Sequence, residues 1–318
     1  MRFNEESISL ADICESDSTY RVTTTSSIDD LRDSIAVLGL IHPPILQRTE
    51  IGYRIVAGFR RIAASRALGQ PTVQTRLLPD DSDELTRVHL AIADNSLQRS
   101  LNLIESSRAL NMLSRVTNDE HHLAEMAAIL LLPDNPTMIA KLMPLTAMPA
   151  AIKAAVLSEG LPLSMALELD TFDVKTAEKM ARIFTELKLG LNRQRELLTH
   201  LCEIARREDR SIDDVLTDDE VSGIIDNVDL GSAQKSMQLR ALLYKRRYPS
   251  IAEKSARFNH LVRALRLGSG IKLTSPINFE GTTYTLSITF DRFDQLVDRG
   301  RSLEILRRSD DLKIFLEE

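Results

Sequence analysis

The residues best suited to chemistry in this chain are one glycine and two adjacent arginines, Gly58, Arg60 and Arg61. An apolar run over residues 53–57 predicts a buried strand before them, and Gly69 is placed to end a helix after them. Glycine at such a turn lets backbone N–H groups approach a ligand closely. Because a helix N-terminus is already electropositive, each cation in its first turn typically costs about 0.3–1 kcal/mol. The pattern predicts a bound anion such as phosphate; the alternative is that both arginines are solvated or paired with carboxylates.

Two other segments complete a pattern around this turn. Upstream, residues 28–38 predict a helix that Gly39 ends, and two prolines then lead into a strand. Downstream, residues 94–105 lie at the end of an apolar helix and begin with Asp94 and Asn95. Each segment alone is a weak signal, whereas the ordered set of three is specific.

In this order and at this spacing, the segments resemble the ParB family of chromosome- and plasmid-partition proteins. That family has a helix ending in GL-x-x-P, a V-A-G-E-R-R-x-x-A turn and an E-N-x-x-x-R-x-x-L-N-x-x-E segment. The resemblance is close over residues 5–115 and degraded to about residue 170. It implies an N-terminal domain of sulfiredoxin-like fold that binds a cytidine nucleotide, usually CTP with magnesium, and closes as a dimeric clamp around DNA.

The resemblance also assigns roles to individual residues. The candidate nucleotide-binding residues are His42, Gly58, Arg60, Arg61, Asn95 and Arg99. The glycine and the arginine pair would contact the phosphates, and the histidine would lie near the cytosine or ribose. Asp94, which replaces the family's longer glutamate, is the candidate metal ligand.

Phe59 departs from the family pattern, in which a glutamate contributes to metal-dependent hydrolysis. Phenylalanine can neither ligate magnesium nor position water, so we expect nucleotide binding with weak or absent hydrolysis. The alternative is that Phe59 packs in a pocket that has lost its ligand. Phe59 also stands where sulfiredoxin has its catalytic cysteine, which excludes thiol chemistry at this turn.

The predicted elements and the family resemblance indicate a mostly helical α+β protein, and the length of the chain indicates several domains. The chain has 318 residues, 43% of them hydrophobic, which is enough for two or three cores. We expect a nucleotide-binding domain over residues 1–105, a helical helix-turn-helix-like domain over 106–200 and a C-terminal helical module over 201–318. Without a long apolar run or a leader, we expect a cytoplasmic protein with no membrane partner. The two cysteines are far apart and predict no metal site.

The charge of the chain is segregated, although its net value is −6. Residues 208–229 are strongly acidic and residues 240–272 strongly basic. The basic candidates for DNA contact in the C-terminal module are Lys245, Arg246, Arg247, Lys254 and Arg257. A basic stretch of this density could follow a phosphate backbone; equally, the two blocks could neutralise one another within the chain or across a dimer.

The middle of the chain aligns loosely with the helix-turn-helix of ParB. Residues 103–118 predict a helix, residues 123–127 the first helix of the motif and residues 137–142 its recognition helix. Recognition helices present cations and amides to DNA, yet Lys141 is the single basic residue on this one. We expect a helical bundle that still packs as part of the fold but has lost much of its affinity for a specific operator.

The end of the chain predicts a two-stranded β-ribbon, with residues 271–273 in one strand and 283–290 in the other. Alternation of Tyr284, Leu286, Ile288 and Phe290 with polar residues predicts one buried face. A ribbon alone is marginal, so it must pack on its own helices or pair with a second chain. ParB-like proteins often end in a dimerisation module, which would make the protein a homodimer.

Two functions follow from these patterns. The first is a nucleotide-gated, nucleoid-associated clamp that serves as a partition or regulatory adaptor on DNA and works with a partition ATPase. The second is a protein–protein adaptor of the same fold that has lost nucleotide gating and specific DNA recognition.

Overall fold

The computed structural model describes residues 3–317, apart from the side chains of residues 301, 302 and 305. Contacts divide the chain into two compact units, with the boundary between Gln194 and Arg195. The three-domain division stays a prediction. Among the described residues, none of the helices combines the length and apolar character that crossing a membrane requires.

The first unit begins with a four-stranded sheet. Its strands are β1 (Asn4–Ser9), β2 (Ile45–Thr49), β3 (Gly52–Ala57) and β4 (Thr72–Leu77), in the order β1-β4-β2-β3. The β2 and β4 strands are parallel, and the other two pairings are antiparallel. The helices of this part are α1 (Asp29–Leu38), α2 (Phe59–Ala67) and α3 (Glu84–Ser96). The strand–glycine–helix order predicted over residues 53–69 is therefore present.

Alternating apolar residues explain how the sheet buries one face. In β4, Val73 and Leu77 are buried while their neighbours along the strand are exposed. They pack with Leu46, Ile55 and Ile62 in one cluster beneath α2. Burial of each such side chain contributes roughly 1.5–3 kcal/mol, so this cluster fixes where β3 ends and α2 begins.

The rest of the first unit is helical. Its helices are α4 (Leu103–Leu113), α5 (Glu120–Ile129), α6 (Pro136–Leu142), α7 (Ala150–Leu157), α8 (Leu163–Leu169) and α9 (Val174–Glu186). The α4 helix ends at Leu113 rather than at residue 118, because β-branched Val116 and Thr117 have low helix propensity. Helices α5 and α6 lie where the helix-turn-helix is expected; a DNA-reading role for them stays a prediction.

The second unit is also mostly helical. Its elements are α10 (Leu191–Glu208, which starts before the boundary), α11 (Ile212–Thr217), α12 (Asp219–Ile225), α13 (Ser232–Arg247), α14 (Pro249–Ala264), β5 (Ile271–Thr274), β6 (Thr285–Ile288), α15 (Phe293–Arg307) and α16 (Asp310–Glu317). Together with the sheet of the first unit, this content confirms a mostly helical α+β fold.

The β-ribbon packs on helices of its own chain. Its strands pair antiparallel, and Tyr284 joins an aromatic cluster with Phe258 of α14 and Phe315 of α16 at centroid distances of 5.7 and 6.4 Å. Leu286 and Ile288 are half-buried, but Phe290 is 46% exposed, so the predicted buried face is wrong at that residue. The strand ends at Ile288, two residues before Phe290, which explains the exposure.

Candidate functional site

A cleft of about 390 Å³ lies where β3 passes into α2. Every residue that the sequence analysis placed in the nucleotide and metal sites lines this cleft: His42, Gly58, Arg60, Arg61, Asp94, Asn95 and Arg99. They come from the loop before β2, the start of α2, and the end of α3 with the residues after it. Residues separated by more than fifty positions in sequence thus share one concave surface.

Gly58 is required by the backbone at this turn. Its φ of +94° lies in the left-handed region, which side chains other than glycine rarely adopt. A Cβ at this position would also lie 2.8 Å from Pro44 Cβ and 2.9 Å from Arg61 Nε. The tight turn places the first N–H groups of α2 at the cleft, where they lack intrahelical acceptors.

Arg61 is held in a fixed orientation by the protein itself. Its Nη2 donates to both oxygens of Asp94, at 2.7 and 2.5 Å, and its Nη1 donates to the carbonyls of His42 at 2.9 Å and Pro43 at 3.2 Å. Both charged side chains are largely buried, at 15% and 20% exposure. Arg61 therefore fits the alternative interpretation of the arginine pair, in which an arginine is paired with a carboxylate.

Asp94 is engaged by Arg61 in this arrangement, and its role as a magnesium ligand stays a prediction. It is the single carboxylate among the described residues that line the cleft, and both of its oxygens accept hydrogen bonds from Arg61. Nowhere in the part of the chain that the structure describes do three or more His, Cys, Asp or Glu side chains group as metal ligands. Magnesium held through one carboxylate and substrate phosphates would need Asp94 to release the arginine.

Arg60 contributes a charge that no carboxylate balances. Its Nε and Nη2 donate to the carbonyl of Ser27 at 3.1 and 2.8 Å, and it forms no ion pair with any described residue. A neutral carbonyl orients the guanidinium without neutralising it. The charge therefore stays available to an anion beside the helix N-terminus.

Arg99 is paired with a buried acid that the sequence analysis did not assign to the site. Its Nη1 and Nη2 lie 2.7 and 2.8 Å from the two oxygens of Glu105, which is fully buried. Burial alone would raise the pKa of Glu105, but hydrogen bonds from Arg99 and from the backbone N–H groups of Thr24 and Asn102 lower it to about 2. The signal was in the sequence, because an asparagine three residues before a glutamate is typical of a helix capping box.

Asn95 and Phe59 meet the cleft in different ways. The side-chain amide of Asn95 donates to the Ala91 carbonyl at 3.0 Å, and the residue lines the cleft. Phe59 is half-buried and packs against the cluster under the sheet, beside Leu40 and Tyr53. Its ring borders the cleft but belongs to the core.

None of the predicted DNA-contact residues lines this cleft, and two of them are paired with acids. Arg246 pairs with Glu208 and with Asp218, and Arg247 pairs with Glu203. Neutralisation of the basic block by the acidic block therefore describes Arg246, whereas the acid that pairs with Arg247 lies outside that block. Ion pairing of both arginines does not favour their direct contact with DNA. Lys141 and Lys245 are exposed, while Lys254 and Arg257 lie 5.8 and 5.7 Å from the ring centroid of Phe315.

Comparison with known proteins finds a family match for the part of the chain that contains the four-stranded sheet and the glycine turn. Residues 4–96 match the family model described as the ParB N-terminal domain. The chain is therefore ParB-like, as its sequence pattern predicts, and its likeness to the ParB N-terminal domain spans residues 4–96.

Several curated relatives are partition proteins. A probable chromosome-partitioning protein ParB from Xylella fastidiosa is 29% identical over 163 residues, which are 51% of this chain and 51% of the relative. A probable plasmid-partitioning protein ParB from Thermus thermophilus is 28% identical over 214 residues, which are 57% of this chain and 70% of the relative. The chain thus spans about half the length of the Xylella relative.

A similar solved structure is the C-terminally truncated chromosome-partitioning protein ParB from Caulobacter crescentus, complexed with CTP-gamma-S. It is 20% identical, covers 57% of this chain and 99% of its own, and has a TM-score of 0.27.

Proposed function

We propose that this chain is a CTP-binding clamp of the ParB type, which acts on DNA as a partition or regulatory adaptor and hydrolyses nucleotide weakly or not at all. One observation carries the proposal: a single cleft gathers the glycine turn, three arginines and Asn95. Two of these arginines are neutralised by Asp94 and Glu105, so Arg60 and the start of α2 supply the positive field for a phosphate tail.

Each residue has a defined task in this proposal. The first N–H groups of α2 and the Arg60 guanidinium bind phosphate oxygens, since charge-assisted hydrogen bonds suit both. Arg61, fixed by Asp94, holds the loop that carries His42 against the turn. Arg99 and Asn95 form the other wall of the cleft. CTP rather than another nucleotide rests on the family resemblance.

Weak hydrolysis follows from the side chains at the turn. Phe59 has no atom that could orient a water, and Asp94 is engaged by Arg61. A homodimer, a partition ATPase as partner and a nucleoid location belong to the same proposal and rest on the family resemblance.

A protein–protein adaptor without specific DNA recognition is the second candidate. Its support is an exposed apolar set on the helix-turn-helix-like pair: Ile129 at 71%, Leu131 at 70% and Met138 at 42% exposure. Residues of this kind suit a protein partner better than a phosphate backbone.

Titration calorimetry of the full chain with CTP, ATP and GTP tests the first candidate. We expect CTP to bind most tightly and Arg60→Ala to weaken binding at least tenfold, because a charge-assisted hydrogen bond contributes about 1.5–3 kcal/mol. Arg48→Ala is the matched control, since Arg48 is exposed and 3.8 Å from its nearest carboxylate. Equal indifference to all three nucleotides would contradict the clamp.

Phosphate release tests the catalytic part separately. We expect the wild-type chain to release phosphate from CTP at close to the background rate. Phe59→Glu restores a carboxylate at the turn and is expected to raise the rate if its nucleotide affinity is retained. Rapid multiple turnover by the wild-type chain would contradict weak hydrolysis and leave the binding proposal intact.

A further inference from the structure

A second polar pocket, of about 770 Å³, borders the same segment of chain as the nucleotide cleft. Tyr20 and Val22 line the cleft, Arg21 lines the second pocket, and Thr23 lines both. The opposite wall is α4 with the residue that follows its last turn. We call this second cavity the arginine pocket, since Arg21, Arg108 and Arg115 line it.

The three arginines reach the pocket from different places in the chain. Arg108 lies on α4, Arg115 lies two residues after the last residue of α4, and Arg21 lies in the segment before α1. Arg108 is half-buried and donates to the carbonyls of Val22 at 3.2 Å and Thr23 at 2.8 Å. This anchoring holds its guanidinium against the segment that presents Arg21.

The protein does not balance the charge of this pocket. The side chains of Arg21 and Arg115 form no hydrogen bond or ion pair with any residue between 3 and 317 whose side chain the structure describes. Both groups that Arg108 contacts are neutral carbonyls. Burial and the nearby charge of Arg21 lower the pKa of Arg108, and the attraction of the Glu105 carboxylate, which is paired with Arg99, only partly opposes this shift.

The single acid among the described lining residues is already committed elsewhere. Asp17 Oδ2 accepts from Arg54 Nε at 2.5 Å, and its Oδ1 accepts from the Thr19 N–H at 3.0 Å. Arg54 lies on β3, outside the pocket. The carboxylate is therefore neutralised by a fourth arginine, and the three pocket arginines retain their charge.

We propose that the arginine pocket is a second phosphate site, which takes a phosphate group carried by a nucleic-acid backbone or by a free polyphosphate. Guanidinium forks match phosphate oxygens, and a concave surface lined by one sign of charge concentrates counter-ions. The site is distinct from the nucleotide cleft and does not depend on CTP being its ligand.

The test uses the full chain with Arg60→Ala in every sample, which weakens phosphate binding at the cleft. Arg21→Gln/Arg115→Gln removes two pocket charges. Arg48→Gln/Arg76→Gln removes two charges from exposed positions of the same unit and is the matched control. One arm measures a random 20-base-pair duplex by fluorescence anisotropy over a range of salt concentrations; the other measures inorganic triphosphate by calorimetry.

We expect the pocket variant to bind at least one probe tenfold more weakly than the control variant. If the duplex is the natural ligand, the plot of log binding constant against log salt concentration also becomes shallower, by about one to two units of slope. A loss confined to triphosphate identifies a free polyphosphate. Equal binding by the pocket and control variants, or no binding of either probe to the parent chain, would overturn the proposal.

Loss of folding is not expected, because neither substituted side chain has a partner to lose among the described residues. Thermal denaturation of the pocket variant checks this. If the double variant unfolds early, Arg115→Gln alone decides the matter, since Arg115 is exposed after the last turn of α4. It is expected to weaken binding about threefold, and an unchanged affinity would count against the site.

Discussion

Glu105 fixes one wall of the cleft, although it is fully buried and does not itself line the cleft. Its carboxylate accepts hydrogen bonds from Arg99, from the Thr24 N–H at 2.9 Å and from the Asn102 N–H at 3.2 Å. These donors come from three places in the chain, so one charge holds the segment before α1, the loop after α3 and the start of α4 together. A buried carboxylate is stable here because every partner favours its ionised form.

This arrangement predicts a pH dependence with a defined sign. The pKa of Glu105 is lowered from about 4.5 to about 2, so its stabilisation is complete above the unfolded value and is lost as pH falls toward 2. The contribution is on the order of 2–3 kcal/mol at neutral pH. Native-state hydrogen exchange of β3 and β4 amides, compared between the wild type and Glu105→Gln, should differ most near pH 6 and converge toward pH 2.5. A constant difference across this range would contradict the assignment.

Gly58 provides a test at the turn itself. Gly58→Ala combines a left-handed backbone with contacts of 2.8 Å to Pro44 Cβ and 3.0 Å to its Cα, so we expect a loss of more than 2 kcal/mol in stability. Gly39→Ala is the control: its φ is +72°, but nothing lies within 4 Å of the added carbon. It should cost about 1–2 kcal/mol. Equal losses, measured by urea denaturation, would show that the steric contact is unimportant.

At the scale of elements, the sequence predicted features that depend on neighbouring residues, such as the ends of helices. Gly39, Gly58 and Gly69 each have positive φ at the helix boundaries expected from the sequence. Helices α11 and α12 were not predicted, because residues 208–229 were interpreted only as an acidic block. Their acids act at helix starts: Ser211 and Asp214 form a capping box.

Pairing between charge blocks could not be predicted, because it depends on packing between distant elements. Arg246 near the end of α13 reaches Glu208 at the end of α10, with an Nε–Oε1 distance of 2.9 Å, and Asp218 before α12 at 2.5 Å. Arg246 is raised in pKa by these partners, and its hydrogen bonds help lower the pKa of both acids. Part of the basic block, which resembles a DNA-binding stretch, therefore forms ion pairs within the protein.

Substitution of neighbouring basic residues separates the two roles. Arg246→Ala leaves two partly buried carboxylates without this partner, so we expect the second unit to lose about 1–3 kcal/mol of stability. Lys245→Ala, at an exposed position beside it, should change stability by less than about 0.5 kcal/mol. Thermal denaturation measures both. If Arg246→Ala is as stable as Lys245→Ala, the ion pairs contribute nothing and the arginine is free for DNA.

At the scale of the whole molecule, the location of the site was more predictable than the charge partners of its arginines. The glycine turn and its two arginines were predictable from local sequence, whereas His42, Asp94, Asn95 and Arg99 were assigned through the resemblance to the ParB family. All seven residues line one cleft. Whether an arginine faces a ligand or a carboxylate was not predictable. Asp94 lies thirty-three positions from Arg61, and their contact is decided by how α3 packs beside β3.

The placement of the whole cleft in the first unit leads to the last prediction. Hydrogen exchange of the full chain with and without CTP should show protection in peptides covering residues 20–24, 58–62 and 94–105, because these segments line the cleft or bind its wall. Peptides from the aromatic cluster around Phe258 should exchange at an unchanged rate during the first seconds, since no residue there lines the cleft. Arg60→Ala should abolish the protection, whereas Arg48→Ala should retain it. Protection that begins in the second unit, or that survives Arg60→Ala undiminished, would place the nucleotide elsewhere.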